Sequence, residues 1–428
     1  MHFFEYRNGT LFCEDVDLAR LAAETGTPAY VYSASTILSH YRRLDEVLAE
    51  VPHMICYAVK ANSNIGILSL LAGENAGFDI VSGGELFRVV KAGGDAAKCT
   101  FAGVGKTEAE IRDALERGIF AFNVESEAEL ERINAIAGQL GVKAPIAVRV
   151  NPDVDAHTHK YISTGKSENK FGIAFERVFA VYANAAKLPN LKIRGVQMHI
   201  GSQITEAGPF AEAVEKMQPL VCKLKTLYGI EYFSIGGGMG IVYDPSLASG
   251  TTDWWAKDEK PLTLEGYAEA VVPKLKALGL KILVEPGRFM VGNAGVLLAR
   301  VQYVKAGDIK KFVIVDAGMN DLIRPALYQS FHEIVPVTQR AGALEKVDVV
   351  GPVCESGDFF AEERELPPLE QGDLIALMST GAYGATMSSN YNSRPLLPEL
   401  LVKGDKVATI RTRQTPDDLI RNESLPSF

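Results

Sequence analysis

The chain has 428 residues, of which 47% are hydrophobic and 23% charged, and a formal net charge of -9. That length exceeds what one hydrophobic core usually holds, so two domains are expected. The acidic balance argues against a general nucleic-acid surface, which needs a basic stripe, but it leaves room for local arginines facing an anionic substrate. No apolar run approaches the length of a membrane span, and the N-terminus reaches Glu5 without an apolar signal region. The five cysteines, Cys13, Cys56, Cys99, Cys222 and Cys354, are scattered, odd in number and without a C-x-x-C. A disulfide framework and a structural zinc site are not expected, and a reducing cytoplasm is the expected compartment. The first four cysteines read as buried small hydrophobes.

The N-terminal stretch HFFEYRNGTLFCE is strand-like with an Asn-Gly turn at Asn8-Gly9, and residues 1–25 are expected to join a later β domain. From about residue 54 to 286, apolar strand candidates alternate with amphipathic helical patterns. The candidates are 54–59, 78–82, 99–103, 120–124, 146–150, 195–200, 232–236 and 282–286. Ser126 and Glu129, three apart, have capping-box spacing at the start of one helical pattern. Eight β-then-α units point to an α/β fold, a (β/α)8 barrel over 26–288, rather than an open sheet. Beyond Arg288 short β-rich runs replace the alternation, which predicts an all-β C-terminal domain over 289–428. Two polar insertions, 151–170 and 244–263, follow the fifth and seventh strands. They read equally well as active-site lids and as solvated excursions. His157 and His159 lie in the first, but two histidines in a loop with no third ligand nearby do not make a metal site.

Polar residues collect at the C-terminal ends of the strand candidates, where barrel active sites are built. Lys60 ends the first strand, Asp79 lies in the second, Arg149 and His199 end the fifth and sixth, Gly236, Gly237 and Gly238 close the seventh, and Glu285, Gly287 and Arg288 close the eighth. Taken singly, each is a solvated strand end, a satisfied core side chain or a tight turn; six on one rim ask for a common ligand. Three glycines allow positive φ and close backbone approach, so their N–H groups can cradle a phosphate. A lysine buried at a strand end has its pKa lowered and becomes a nucleophile toward an aldehyde. An imidazole can stack on an aromatic ring, and the Glu285 carboxylate can keep a pyridine nitrogen protonated. Phosphate cradle, amine, stacker and carboxylate together match pyridoxal 5'-phosphate (PLP).

The segments YAVKAN (57–62), FDIVSGGEL (78–86), HIGSQ (199–203), GGG (236–238), EPGR (285–288), RPALY (324–328), GPVCESGD (351–358) and GAYGATMSSNY (381–391) occur in this order over most of the chain. As a set they resemble the fold-type III PLP decarboxylases, and within them the branch acting on diaminopimelate. The resemblance implies an alanine-racemase-like PLP-binding barrel followed by a β domain. It implies that Lys60 carries the cofactor as a Schiff base and that His199 stacks on its ring. Ser202, Gly237 and Gly238 match phosphate-binding positions, together with the segment Glu285, Pro286, Gly287 and Arg288, and Glu285 matches the partner of the ring nitrogen. Asp79 is expected among the cofactor contacts. Arg288, Arg324, Tyr328, Glu355 and Tyr383 match substrate-holding positions, Tyr383 also touching the cofactor. Cys354 matches the proton donor that reaches across from a partner subunit, which implies a homodimer with shared active sites.

These residues imply a reaction. An ordinary thiol, with pKa ~8.5, is mostly protonated at neutral pH and can return a proton to Cα as general acid. Arg324 suits a distal carboxylate and Glu355 an ammonium beside it. A distal group bearing both is an amino-acid head, as in meso-diaminopimelate, whose decarboxylation at one end gives L-lysine. A decarboxylase of lysine, ornithine or arginine is the rival reading, and Arg324 argues against it because a guanidinium repels a terminal amine. A non-catalytic binding protein of this fold would not need Lys60, Cys354 or the triple glycine.

Overall fold

The computed structural model describes residues 1–154, 170–255 and 261–428. The chain divides into two compact units. One comprises Met1–Ile37, Val242–Asp258 and Val291–Phe428, the other Leu38–Ile241 and Glu259–Met290. The second is the expected barrel. Its strands are β1 (His53–Ala58), β2 (Gly77–Ile80), β3 (Cys99–Phe101), β4 (Ala121–Val124), β5 (Ala144–Asn151), β6 (Leu191–Met198), β7 (Tyr232–Ser234) and β8 (Lys281–Val284). All pair in parallel in chain order, and β8 closes on β1.

Residues two apart on a strand face the same side, and the register stacks the barrel interior in layers. The lower layer is apolar: Cys56, Ala121, Ala147, Tyr232 and Leu283 pack together with Met54 and Phe120. Gly195 belongs here as well, since a Cβ at that position would lie 2.5 Å from the Tyr232 ring. Two residues further along the strands the interior turns polar, with Asp79, Asn123, Arg149, Gln197, Ser234 and Glu285 all buried. Hydrophobic burial thus closes the bottom of the barrel, and the polar groups are stacked at the end where the strands finish.

The helices wrap this sheet with local signals intact. In the helix Glu127–Leu140, Ser126 accepts from the Glu129 N–H at 3.3 Å. The reciprocal half of the expected capping box is not made. The Glu129 carboxylate instead takes the Glu125 N–H at 2.8 Å and the Lys106 ammonium at 2.6 Å. A buried cation outcompetes the cap because it would otherwise be left without a counter-ion.

The other unit is a mixed β-sheet domain. Phe4–Arg7 pairs antiparallel with Thr10–Cys13 around Asn8-Gly9, whose φ angles of +50° and +82° are those a two-residue hairpin turn requires. The β-rich runs beyond Arg288 form strands, Gly295–Ala306, Lys311–Val315, Ile334–Pro336, Glu345–Val350, Leu374–Leu377 and Lys406–Arg411, and three further segments join them. Phe359–Leu366 and Glu399–Lys403 are two of these. The third, Ala29–Ser33, is fully buried between Gly295–Ala306 and Glu399–Lys403. The unit boundaries therefore differ from 26–288 at both ends and in one internal stretch. Ala29–Ser33 belongs to the β unit, and so does 242–258, where Ser246 Oγ lies 2.6 Å from Ser379 Oγ and the Leu247 N–H donates to Glu333 at 2.6 Å. The part of the second insertion up to residue 255 is thus packed in the β unit, with Ser246 and Ser249 buried. Residues 155–169, with His157 and His159, lie outside the described residues. Among the described residues no helix is long and apolar enough to cross a membrane, and no group of His, Cys, Asp and Glu could hold a metal ion.

Candidate active site

The site is built on the barrel's polar layer. Glu285, just past β8, accepts from Ser234 Oγ at 2.6 Å and from Gln197 Nε2 at 2.9 Å, with Asn123 Nδ2 at 3.5 Å. Burial, then the neighbouring Asp79 charge, push its carboxyl up to about 7. Asp79 is buried too, and desolvation raises its carboxyl while Lys60 opposes the rise. Thr100 Oγ1 lies 3.3 Å from Asp79 Oδ1. Asn123 Oδ1, Gln197 Oε1 and Arg149 Nε are buried with no hydrogen-bond partner among the described residues. Native interiors seldom leave such groups unsatisfied, so they mark a place for a polar ligand.

Lys60 sits in a one-turn 3₁₀ helix, Val59–Ala61, directly after β1. The expectation of a buried amine is not met. Its side chain is 42% exposed, with Nζ 3.5 Å from Asp79 Oδ2. The strand ends at Ala58, so the lysine stands beyond the last packed layer, at the mouth of the barrel.

His199 follows β6. Burial, then the Arg149 and Lys60 charges, lower its pKa well below the ordinary value. The Gly237 N–H donates to its Nδ1 at 3.2 Å, which requires that nitrogen to be bare. The imidazole is therefore neutral and protonated on Nε2, suited to face an aromatic ring without repelling a cation. The glycine run makes this possible. Gly236 and Gly238 have φ of +71° and +112°. A Cβ on Gly237 would fall 2.1 Å from the Glu285 carbonyl oxygen, and one on Gly236 would fall 2.4 Å from that of Met198. Gly237→Ala should therefore cost about 1–3 kcal/mol of stability through forced backbone shifts. Urea unfolding of the two proteins checks this, and an unchanged midpoint would show that the turn yields freely. Arg288 Nη2 donates to Ser202 Oγ at 3.2 Å, which joins two of the segments expected to hold phosphate.

In the β unit, Cys354 is exposed, as a reactive thiol needs to be. Its loop is cinched by Asp358, which takes the N–H groups of Val353 and Met319, each at 2.6 Å. The Cys354 N–H itself donates to Asn392 Oδ1 at 3.1 Å. Glu355 beside it is exposed, and Tyr328 is half-buried at the end of the short helix Arg324–Tyr328. Tyr383 has φ of +57°, a conformation bulky residues rarely adopt outside functional sites. Arg324 is 5% exposed and bonded to Tyr243, His332 and Ser330. Of the other cysteines, Cys13, Cys56 and Cys99 are buried as expected, but Cys222 lies on the exposed face of the helix Gly208–Tyr228.

Sequence reasoning passed over Asn123, Gln197 and Ser234. Each lies two places after an inward-facing residue, Ala121, Gly195 or Tyr232, a relation that only the closed barrel reveals. A cavity of about 390 Å³ lies at the opposite end, lined by His53, Met54, Asn75, Lys98 and Lys281 near the strand N-termini. Its carboxylates are already paired, Glu74 with Arg42 and Asp45 with His53, and active sites of this fold form at the other rim.

The amine at the mouth, the glycine turn a Cβ would block, the neutral imidazole and the orphaned polar atoms fit a phosphorylated pyridine. The comparisons agree. The family model described as the pyridoxal binding domain of pyridoxal-dependent decarboxylases matches residues 34–292, which makes the barrel unit a PLP-binding domain. The diaminopimelate decarboxylase of Pseudomonas aeruginosa is 51% identical over 99% of both chains, and that of Vibrio cholerae 49% identical over 99% of both. Among solved structures, diaminopimelate decarboxylase from M. jannaschii matches with a TM-score of 0.91 at 37% identity, over 99% of this chain and 98% of its own. The Helicobacter pylori enzyme complexed with L-lysine matches at 0.88 and 42%, over 95% and 99%. The chain belongs to the diaminopimelate decarboxylase family.

Proposed function

We propose that this protein removes CO2 from one amino-acid centre of meso-2,6-diaminopimelate, leaving L-lysine, with PLP as cofactor. When bound, PLP supplies an electron sink for the pair left on Cα as the carboxylate departs. Lys60 Nζ would attach it, with Asp79 as the nearby carboxylate. The glycine turn, Ser202 and the Pro286–Arg288 segment would hold its phosphate, and His199 would cover the ring. Glu285, clasped by Ser234 and Gln197, would set the charge of the ring nitrogen. Cys354 would return a proton to Cα, supplied from the second subunit of a homodimer. Tyr328 and Tyr383 would line the substrate. The absence of a membrane-length helix among the described residues is compatible with a cytoplasmic enzyme.

Arg324 carries the substrate choice. Its guanidinium is buried, and no carboxylate pairs with it among the described residues. A buried cation without a counter-ion is costly, so an anionic ligand group belongs beside it. A distal carboxylate, with Glu355 meeting the adjacent ammonium, supplies that group, whereas lysine, ornithine and arginine have none to offer. CO2 release from meso-diaminopimelate should exceed that from each of these three, and Arg324→Ala should raise KM for it about 10–100-fold, the worth of a charged hydrogen-bonded contact. Faster turnover of a plain diamino acid, or an unchanged KM in the variant, would overturn the substrate assignment.

A further inference from the structure

We propose that His332 and Tyr243 are positioning residues that aim Arg324 and so set specificity for a substrate with a carboxylate at its far end. The inference rests on the assignment of Arg324 to that carboxylate, and it concerns how the guanidinium is held. His332 is fully buried. Its Nδ1 lies 2.8 Å from the Met378 carbonyl oxygen, which can only accept, so Nδ1 carries the hydrogen. Its Nε2 is then a bare lone pair, and it lies 3.1 Å from Arg324 Nη1. The other hydrogen of Nη1 goes to Tyr243 Oη at 2.9 Å. Tyr243 stands edge-on to the imidazole, with centroids 5.4 Å apart at 85°, while the Arg324 guanidinium carbon lies 5.0 Å from the tyrosine ring centre. Ser330 Oγ takes one hydrogen of Nη2 at 3.3 Å.

Both hydrogens of Nη1 are thus committed to neutral acceptors. The Nε hydrogen and the second Nη2 hydrogen remain, and a carboxylate binds such a pair in a fork. The choice of neutral acceptors matters. An aspartate or glutamate in place of His332 would hold the arginine equally well, but it would cancel the charge the substrate must find. A neutral imidazole of fixed tautomer orients the guanidinium and leaves its charge unspent. A substrate without the distal carboxylate would leave that buried charge unpaired, which is the penalty that separates the substrates.

Steady-state kinetics of the PLP-loaded enzyme on meso-diaminopimelate test the proposal. His332→Asn keeps a donor for Met378 but has no acceptor that reaches Arg324, whereas His332→Gln can place an amide oxygen near the Nε2 position. His332→Asn should raise KM about tenfold with little change in kcat, and His332→Gln should recover most of the loss. In an Arg324→Ala background, His332→Asn should add nothing. Equal KM values for the wild type and His332→Asn, beside a raised KM in Arg324→Ala, would overturn the positioning role and leave the Arg324 assignment standing. An unchanged KM in Arg324→Ala would remove both. If the histidine variants fail to fold or to retain PLP, Tyr243→Phe, which loses only the hydroxyl, decides: a raised KM supports the proposal, and an unchanged one overturns it.

Discussion

Lys60→Ala should leave a folded, colourless protein whose decarboxylase activity is down by more than about 10⁴-fold, the scale of loss when a covalent catalytic group is deleted. The effect should be large because the Lys60 amine is the group that would attach the cofactor. Asp79, its ion-pair partner at 3.5 Å, lies in the polar layer where the strands finish and has no amine to form the Schiff base. The fold should survive, since the side chain is 42% exposed and stands beyond the packed layers. The check is the visible absorbance of the purified proteins with added PLP, together with CO2 release. A variant that retains both would dismiss the cofactor lysine altogether. The same variant tests the shared site. Mixed with Cys354→Ala subunits, it should recover part of the activity if the thiol acts across a dimer, and none if the thiol acts within its own chain.

Glu285→Gln should lower kcat by about 10²–10³-fold, the usual cost of removing one preorganised electrostatic partner. It should also change the pH dependence of stability in protein stripped of PLP. Burial raises this carboxyl to about 7 from an ordinary 4.5. The native state therefore holds a proton that the unfolded chain has released. The resulting stabilisation is complete below about pH 4.5 and is lost as pH rises through about 7. Two and a half pH units correspond to roughly 3 kcal/mol. Glutamine cannot titrate and can still accept from Gln197 or Ser234, so the variant should lose less stability than the parent between pH 5 and pH 8. Urea midpoints at the two pH values measure the difference. Parallel curves for variant and parent would show that the carboxyl titrates normally.

The barrel was legible because its strands are apolar runs separated by helices with clear starts, such as Ser126 ahead of Glu127–Leu140. Strand ends such as Lys60 and Glu285 could then be set on one rim by counting. Three β-unit strands were not legible. Phe359–Leu366 carries four charged residues, Glu362, Glu363, Arg364 and Glu365, and reads as a solvated loop. Glu399–Lys403 is short and follows Pro398. Ala29–Ser33 is apolar but lies some 260 residues from Gly295–Ala306, and no local pattern announces a pairing over that distance. The exposure of Lys60 was missed for a different reason. A strand pattern shows where a strand runs, not that it breaks into a 3₁₀ turn one residue before the lysine. Asn123, Gln197 and Ser234 were missed because a polar residue inside a strand reads as the outward half of an alternation. Only the closed barrel turns that half inward.

Ala29–Ser33 also bears on how the protein is made. It is an inner strand of the β unit, apolar on both faces, yet it leaves the ribosome before either neighbour exists. Its parallel partner Glu399–Lys403 follows about 370 residues later, which at ~5–20 residues per second is roughly 20–70 s of synthesis. During that interval the barrel sequence can emerge and fold while AYVYS waits with its backbone groups and tyrosines unpartnered. Such a stretch is a natural handle for a holdase chaperone, and a chain cut short before residue 399 would carry it permanently uncovered on one side. Nonsense and frameshift products late in the gene should therefore aggregate rather than survive as a working barrel.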